Sequence, residues 1–369
     1  SLLFIPDISG YTEFVQTTEV AHSQHVIAEL LEVLIKANTL NWQLAEVEGD
    51  ALFCYMEEEV PSFERLLAQI ENIFTAFYSH LKLLETNRIC PCRACASAPN
   101  LRLKVIAHVA ELEFIEVQGK RKPFGSAIIE AHRLLKNNID GDNYVLISEG
   151  LAQEMMMPEN YHSKMYDFQQ GSAHYDGKTL EYRYSLIDPD LLDFKPFDSA
   201  EKITFNSDPD LVLDREFPVS GPQLFEMITN YANRHHWSEG VDEFKFNANE
   251  VTKIGTEHTC VINGKHFNLV AVTKEAKPGQ LVYGELATNT PLGESYTFFI
   301  IEPKTSQSSR LKIELYLKTK SRIKKLLIAL IFKGAIKKNV GTSLDNLQKY
   351  FANQASSNPE ANDLLVEAG

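Results

Sequence analysis

Two aspartates near the ends of apolar segments are the first residues whose type and spacing could do chemistry. Asp7 comes late in the apolar run 2–8, and Asp50 lies in a hairpin turn predicted within residues 42–56. If these segments are neighbouring strands, both carboxylates project at the same edge of a sheet. With the Ile8 carbonyl they would suit Mg²⁺ or Mn²⁺, because such hard ions prefer oxygen ligands. The alternative is that Asp7 ends a strand at the solvent and Asp50 only makes a turn.

Three cysteines form a second compact group of possible ligands. Cys90, Cys92 and Cys95 stand close together in one short segment. Thiolates are good zinc ligands, and structural zinc sites usually have four ligands. The sequence does not select the fourth, which could come from one of three residues elsewhere: His80, Cys54 or His108. The alternative is a loop of cysteines without a metal.

Length and composition limit the class of protein. The chain has 369 residues, of which 44% are hydrophobic and 23% charged, which predicts a globular protein with about two domains. A net charge of −14 argues against nucleic-acid binding as the main role. No apolar run approaches the roughly 20 residues of a transmembrane helix. Five cysteines and no recognisable export signal lead us to expect a cytoplasmic protein.

The helices and strands of the first half of the chain must position both the aspartates and the cysteines. The order β-α-β-β-α-β-β-α-β over residues 1–187 predicts an α+β domain with a mostly antiparallel sheet. Its main helices are expected at 22–37, from residue 61 to about 84, and at 126–136.

The pattern restarts after a segment rich in Asp, Pro and Ser. We interpret residues 188–210 as a linker and 211–355 as a second α+β domain. This domain is expected to contain a strand, a helix, six further strands, one of them over 251–262, and a long last helix over about 321–351. Residues 356–369 are expected to be a flexible tail.

Motifs around the two aspartates resemble the class III nucleotidyl cyclases, the adenylate and guanylate cyclase family. The matching segments are FIPDISGYTEF at 4–14 and EVEGDALF at 46–53, and the likeness continues through LRLKVIAHV at 101–109 and PFGSAIIEAHRL at 123–134. The resemblance covers residues 1–187. It implies a ferredoxin-like cyclase fold, two metal-binding aspartates and a purine nucleotide site shared between the subunits of a homodimer.

The resemblance also implies roles for individual residues. Asp7 and Asp50 match the metal-binding pair, with the Ile8 carbonyl beside them. Arg133 matches the arginine that stabilises charge on the transferring phosphate. The nucleotide's phosphates would be held by the turn that follows the first strand: Ser9, Gly10, Tyr11 and Thr12.

Other positions depart from the cyclase pattern. Ile129 stands where active members have an asparagine, and it cannot form that hydrogen bond. Glu46 matches the purine-selecting position of guanylate cyclases, but its usual partner position holds Lys122. Ala110 replaces a glycine. An altered base site beside an unaltered metal site favours nucleotide binding with little or no turnover.

The second half resembles the START-like SRPBCC superfamily, also called polyketide cyclase/dehydrase, which has a helix-grip fold. The matching parts are REFPVSGPQLFEMITN at 215–230, the following Trp237, and GTEHTCVINGK at 255–265. The resemblance implies a curved sheet that grips a long helix around an apolar cavity. Trp237, Glu285 and Tyr296 are the candidate residues of that cavity.

These resemblances together lead to three functional hypotheses. The preferred one is a signalling-type protein whose weakly active or inactive cyclase-like domain binds metal and nucleotide, coupled to a domain that binds a hydrophobic small molecule or lipid. An alternative is an active purine nucleotide cyclase, a phosphorus-oxygen lyase that forms cAMP or cGMP. A second alternative makes the C-terminal domain an enzyme or carrier for a small hydrophobic molecule.

Overall fold

Two α+β units make up the chain, as expected from the sequence. The computed structural model describes the following residues: 1–57, 60–175, 177–197, 202–247, 250–290, 293–318 and 322–357. One unit consists mainly of residues 1–198 and the other mainly of residues 199–369. No helix in these described ranges is both long and apolar enough to cross a membrane.

A seven-stranded mixed sheet forms the centre of the first unit. The strands of this unit are β1 Leu2–Ser9, β2 Gln43–Glu48, β3 Ala51–Met56, β4 Arg102–Val109, β5 Glu113–Val117, β6 Lys120–Phe124, β7 Tyr144–Ser148, β8 Gln169–Tyr175 and β9 Lys178–Leu186. The sheet order is β2-β3-β1-β4-β7-β9-β8, and β5 and β6 form a separate hairpin. Only β4 and β7 run parallel among these pairs, so the predicted, mostly antiparallel sheet is confirmed.

Alternating side chains decide which face of the sheet carries the candidate site. The helices are α1 Tyr11–Thr17, α2 Val20–Lys36, α3 Phe63–Asn87, α4 Arg93–Ser97, α5 Ser126–Leu135 and α6 Glu149–Glu154. Leu3 and Ile5 of β1 pack in one core cluster with Ala127 and Ala131 of α5. Because side chains alternate along a strand, Asp7 belongs to this same face. Leu2, Phe4 and Ile8 are buried on the opposite face.

Four short elements of the first unit were not predicted. Strand β6, Lys120–Phe124, lies in a segment for which no strand was expected. Gln118 and Gly119 both have positive φ, at 52° and 72°, and form a two-residue hairpin turn that returns the basic segment onto β5. Helices α1, α4 and α6 were missed because each has at most seven residues, too few to show a helical period.

The second unit is a seven-stranded antiparallel sheet with a long C-terminal helix, the predicted helix-grip arrangement. Its elements are β10 Leu211–Phe217, α7 Gly221–Thr229, β11 Glu243–Lys245, β12 Glu257–Ile262, β13 Lys265–Val272, β14 Leu281–Thr288, β15 Glu294–Thr305, β16 Ser308–Lys318 and α8 Arg322–Ser357. The strand order is β10-β16-β15-β14-β13-β12-β11. Ser220 and Gln223 form a capping box at the start of α7, which fixes the helix the sequence predicts there.

Two boundaries of the second unit differ from the sequence expectation. A strand was expected over 251–262, but β12 begins only at Glu257, because Thr256 N–H donates to the Lys253 carbonyl in a turn that includes Gly255 with φ 90°. Helix α8 continues to Ser357, into the segment expected as a tail. The rest of that segment, 358–369, lies outside the described residues.

Candidate functional site

The two aspartates predicted from the sequence lie side by side in the first unit. Asp7 pairs across the sheet with Ala51, the residue that follows Asp50, and the Ile8 N–H donates to the Asp50 carbonyl oxygen at 3.1 Å. Burial raises the pKa of Asp50 to about 6, and the neighbouring Asp7 carboxylate adds to this rise. The two close carboxylates repel each other, which contributes to this rise in the pKa of Asp50, and a bound cation would reduce the repulsion.

Lys104 is the cation that accompanies this pair. It faces Asp7 in the register between β4 and β1, and its Nζ lies 3.0 Å from Asp7 Oδ2. Burial alone would lower the pKa of Lys104, but the Asp7 carboxylate raises it above its usual value. The three groups therefore carry a net charge of −1 when both carboxylates are ionised. Lys104 was not predicted from the sequence, because the alternation of β4 gives the face on which it lies but not its register opposite Asp7.

The turn after β1 lies next to the aspartates. Gly10 has φ 86° and precedes α1, so the chain reverses sharply between the strand and the helix. A Cβ built on Gly49 would lie 3.9 Å from the Tyr11 ring, so this ring borders the turn that carries Asp50. Ser9 is buried, whereas Thr12 is exposed. The predicted phosphate-binding turn and the acid pair thus share one end of β1.

Arg133 and Ile129 lie on α5 but away from the acid pair. The Arg133 guanidinium lies 5.6 Å from the ring centroid of Tyr175, on β8 at the opposite edge of the sheet from β2. Ile129 is 55% exposed. The first unit by itself therefore does not bring Arg133 to the Asp7 and Asp50 carboxylates.

Glu46 and Lys122, the candidate base-selecting residues, pair with each other. Lys122 Nζ lies 2.7 Å from Glu46 Oε2, and both side chains are close to half exposed. This ion pair connects β2 to β6. His132 of α5 lies 3.7 Å from Glu48, so α5 also contacts β2. Both charges are thus balanced within the chain.

The three cysteines gather with a histidine that sequence analysis did not select. One ligand atom from each of His22, Cys90, Cys92 and Cys95 lies within 4.8 Å of all the others, so the group could hold a metal ion. His22 Nδ1 lies 3.1 Å from Cys92 Sγ and 3.7 Å from Cys95 Sγ. All five cysteines fall within the described ranges, and none of them is in a disulfide.

The candidate fourth ligands named from the sequence lie in other environments. His80 Nε2 lies 2.8 Å from Glu29 Oε1, and His108 lies 3.5 Å from Glu130. Cys54 pairs with Phe4 within the sheet, where burial raises the pKa of its thiol to about 12. No sequence signal identified His22, because it is 70 residues from Cys92.

A fully buried charged cluster lies in the second unit. Glu285 of β14 accepts hydrogen bonds from Tyr231 Oη at 2.6 Å and Tyr283 Oη at 3.1 Å, and it forms an ion pair with Arg234. Four aromatic rings surround the Arg234 guanidinium: Tyr231, Trp237, Tyr283 and Phe299. Each charge of this cluster has partners from this chain.

Two of the three candidate cavity residues of the second unit, Trp237 and Glu285, lie against the same Arg234 guanidinium, and the third, Tyr296, does not. Trp237 is buried, and its Nε1 donates to the Met227 carbonyl at 3.1 Å. Tyr296 pairs with Leu286, so alternation places it on the opposite face of the sheet from Glu285. There it packs in a separate apolar cluster with Phe298 and Tyr316.

Comparisons with known proteins give partial likenesses. A family model described as "Protein of unknown function (DUF2652)" matches residues 27–144. A protein of Mycobacterium tuberculosis (strain ATCC 25618 / H37Rv), described as "Uncharacterized protein Rv2561/Rv2562", is 28% identical over 127 residues, which are 34% of this chain and 59% of that protein. The chain therefore spans about three fifths of the length of this relative.

Solved structures resemble each half of the chain. The adenylyl cyclase CyaB from P. aeruginosa is similar over 51% of this chain and 93% of its own, with 15% identity and a TM-score of 0.35. A point mutant of norcoclaurine synthase from Thalictrum flavum is similar over 39% of this chain and 94% of its own, with 9% identity and a TM-score of 0.30. At these identities and TM-scores, neither likeness identifies an activity of this chain.

Proposed function

We propose that the first unit binds a divalent metal ion together with a purine nucleotide at Asp7 and Asp50, with weak or no turnover. The observation that carries this proposal is the adjacency of the two carboxylates, of which Asp50 has a pKa of about 6. A carboxyl group whose pKa is strongly raised by burial and by a neighbouring charge is typical of functional sites. The proposed metal is Mg²⁺ or Mn²⁺, since the available ligands are all oxygen atoms.

Different residues of the chain would bind the metal ion and the phosphates of the nucleotide. Asp7, Asp50 and the Ile8 carbonyl would hold the metal ion, which would neutralise phosphate charge when bound. Residues 9–12 would offer backbone N–H groups to phosphate oxygens next to this ion. Lys104 would provide the remaining positive charge close to Asp7, where its Nζ already lies at 3.0 Å.

Two features support weak turnover rather than efficient cyclisation. Ile129 has no hydrogen-bonding group with which to position a ribose. The Lys122–Glu46 ion pair at 2.7 Å must open before either side chain can bind a purine edge. The alternative function is an active cyclase, in which the ribose 3′-hydroxyl loses its proton to solvent and attacks the α-phosphate, pyrophosphate leaves, and Arg133 offsets the developing charge.

A homodimer is part of the proposal, because within one chain the Arg133 guanidinium packs on Tyr175 of β8. Exposed apolar side chains concentrate on β2, the β5–β6 hairpin and α5: Leu44, Val47, Ile115, Val117, Phe124 and Ile129. Exposed apolar groups of this kind mark contact surfaces between proteins. A second copy seated on this surface would bury Ile129 and could supply its own Arg133.

The proposal extends to the cysteine cluster and the second unit. Zn²⁺ is the metal that we propose for His22 and the three cysteines, because thiolate and imidazole ligands suit it. For the second unit we propose a hydrophobic small molecule or lipid as ligand, with an enzyme or carrier of such a molecule as the alternative. We expect the whole chain to be a cytoplasmic signalling protein.

The test is to measure binding and cyclisation with the same purified chain. We expect Mn²⁺-dependent binding of ATP or GTP by calorimetry, little cyclic product, and loss of binding in Asp7→Ala. Lys104→Met tests the neighbouring cation: it should strengthen Mn²⁺ binding in the absence of nucleotide by about tenfold, because a competing charge is removed.

Each outcome of this test is informative. Rapid formation of cyclic nucleotide, abolished by Asp7→Ala, would replace the proposal by the active-cyclase alternative. Nucleotide binding that is independent of Mn²⁺ and unchanged in Asp7→Ala would refute the acid pair as the binding site.

A further inference from the structure

We infer that the cysteine cluster is a closed structural zinc site in which His22 is the fourth ligand and the metal fixes the segment 90–97 to the start of α2. This inference rests on the zinc assignment proposed above, but not on nucleotide binding. It adds that the four ligands leave no open coordination position on the metal, and that the metal has a role in local folding.

Distances within the cluster fit tetrahedral zinc. With Zn–S of about 2.3 Å and Zn–N of about 2.0 Å, a tetrahedron separates sulfur from nitrogen by roughly 3.6 Å. The observed separations from His22 Nδ1 are 3.1 Å to Cys92 Sγ and 3.7 Å to Cys95 Sγ. All four ligand atoms lie within 4.8 Å of one another, so small side-chain adjustments complete the geometry.

Local sequence explains why the cysteines converge. Cys92 is the N-cap of α4, and its sulfur accepts a hydrogen bond from the Cys95 N–H at 3.3 Å. Residues three apart on one helical turn share a face, which brings these two sulfurs together. Cys90 precedes Cys92 by two residues, and the intervening Pro91 restricts the backbone between them.

Glu19, three residues before His22, holds the start of α2 against the cysteine segment. Glu19, directly before α2, accepts hydrogen bonds from the Arg93 N–H at 3.3 Å and the Ala94 N–H at 3.1 Å. His22 lies in the first turn of α2, so the same contact that anchors α4 also presents the imidazole to the thiols. Outer contacts of this kind orient the ligands of metal sites.

The ligand chemistry favours a structural role for zinc. Three thiolates and one imidazole are a common set for structural zinc and fill its four positions, which leaves no position for water or substrate. Cys90 and Cys95 are buried, whereas His22 and Cys92 are partly exposed, so half of the ligand set is shielded from solvent. Helix α4 has only five residues, too few to be stable alone, so it depends on tertiary contacts or on a metal for its order.

Metal analysis of the full purified chain tests this inference. We expect one zinc ion per chain, lost from Cys92→Ser and from His22→Ala but retained in two matched cysteine variants outside the cluster, Cys54→Ala and Cys260→Ala. Zinc retained in His22→Ala would refute His22 as a ligand. Iron in place of zinc, or a disulfide among Cys90, Cys92 and Cys95, would refute the site itself.

A second measurement uses the unaltered chain, so its result does not depend on whether the variants fold. Addition of a chelator should make the three cluster thiols reactive and should increase amide hydrogen exchange in residues 90–97 and in the first turn of α2 at least tenfold. Unchanged exchange after complete zinc removal would refute the structural role. Asp7→Ala should keep its zinc, so failure of the nucleotide site and failure of the zinc site are distinguishable.

Discussion

The acid pair of the first unit and the buried ion pair of the second unit differ in how far positive charge within the chain balances their carboxylates. Asp7 and Asp50 share one cation, Lys104, and together these groups carry a net negative charge at the end of a strand. Glu285 has Arg234 and two tyrosine hydroxyls as partners inside the protein. The acid pair carries excess negative charge and therefore needs a cation or a proton from outside the chain. The Glu285–Arg234 cluster is neutral and fully hydrogen-bonded, so it needs neither.

This difference separates a binding site from a structural feature. Buried ion pairs that satisfy all their hydrogen bonds contribute mainly to a unique packing, and removal of one partner is costly. Acids held close together raise the energy of the folded protein until a proton or cation arrives. The comparison predicts that substitutions in the two clusters change stability in opposite directions.

The largest expected effect is in the second unit. Arg234→Met should destabilise it by about 3–5 kcal/mol, because the Glu285 carboxylate would remain buried without its cation. Urea unfolding, followed by Trp237 fluorescence in a Trp42→Phe background, measures this change. The double variant Arg234→Met/Glu285→Gln should recover part of the loss, and a single-variant loss below about 1 kcal/mol would contradict the comparison.

A smaller effect of opposite sign is expected in the first unit. The pKa of Asp50 is raised from 3.8 to about 6, so the stability associated with its protonated form is present below pH 3.8 and is lost as pH rises through about 6. Asp50→Asn should therefore be more stable than the unaltered chain at pH 7, by on the order of 1 kcal/mol once its partial solvent exposure is taken into account. This advantage should disappear towards pH 4.

Unfolding curves between pH 4 and pH 7 measure this difference. Trp42, which stacks on Phe4 of β1 at 4.7 Å, reports on the first unit in a Trp237→Phe background. Mn²⁺ should stabilise the unaltered chain and not Asp50→Asn. If Asp50→Asn were less stable at pH 7 and equally responsive to Mn²⁺, the carboxylates would not form the site that we propose.

The smallest effect concerns the exposed pair Glu46–Lys122. Glu46→Gln should change the stability of the first unit by less than about 1 kcal/mol, since exposed ion pairs contribute little. The same unfolding assay measures it, with Lys122→Met as the matched variant. A loss above about 2 kcal/mol in either variant would show that this pair behaves like the buried cluster.

Sequence alone predicted the elements that depend on local patterns. The apolar run 2–8 and the Gly-Asp turn predicted β1 and the β2–β3 hairpin, and the order of those strands placed Asp7 beside Asp50. The resemblance to nucleotidyl cyclases supplied Arg133, but its distance from the acid pair depends on the whole sheet order. The partner of Glu285 could not be predicted, because Arg234 reaches it through the packing of α7 and its following turn against β14.

His22 shows most clearly where sequence reasoning stops. Its neighbourhood is that of an ordinary amphipathic helix, and nothing in its spacing points to residues 90–95. Only the packing of α2 and the Glu19 contact with α4 bring it to the cysteines. A ligand set split over distant segments is visible only once the tertiary fold is known.

A metal ion at this cluster would also act on the unfolded chain. His22 and Cys92 are 70 residues apart, and the chain between them contains β2, β3 and α3. A cross-link that closes a loop of this length removes chain entropy from the denatured ensemble worth on the order of 4 kcal/mol in the disulfide model. Because β1 lies before His22 and β4 lies after Cys95, zinc bound early in folding would bring β1 and β4 within reach of each other, and with them Asp7 and Lys104, before the sheet has formed.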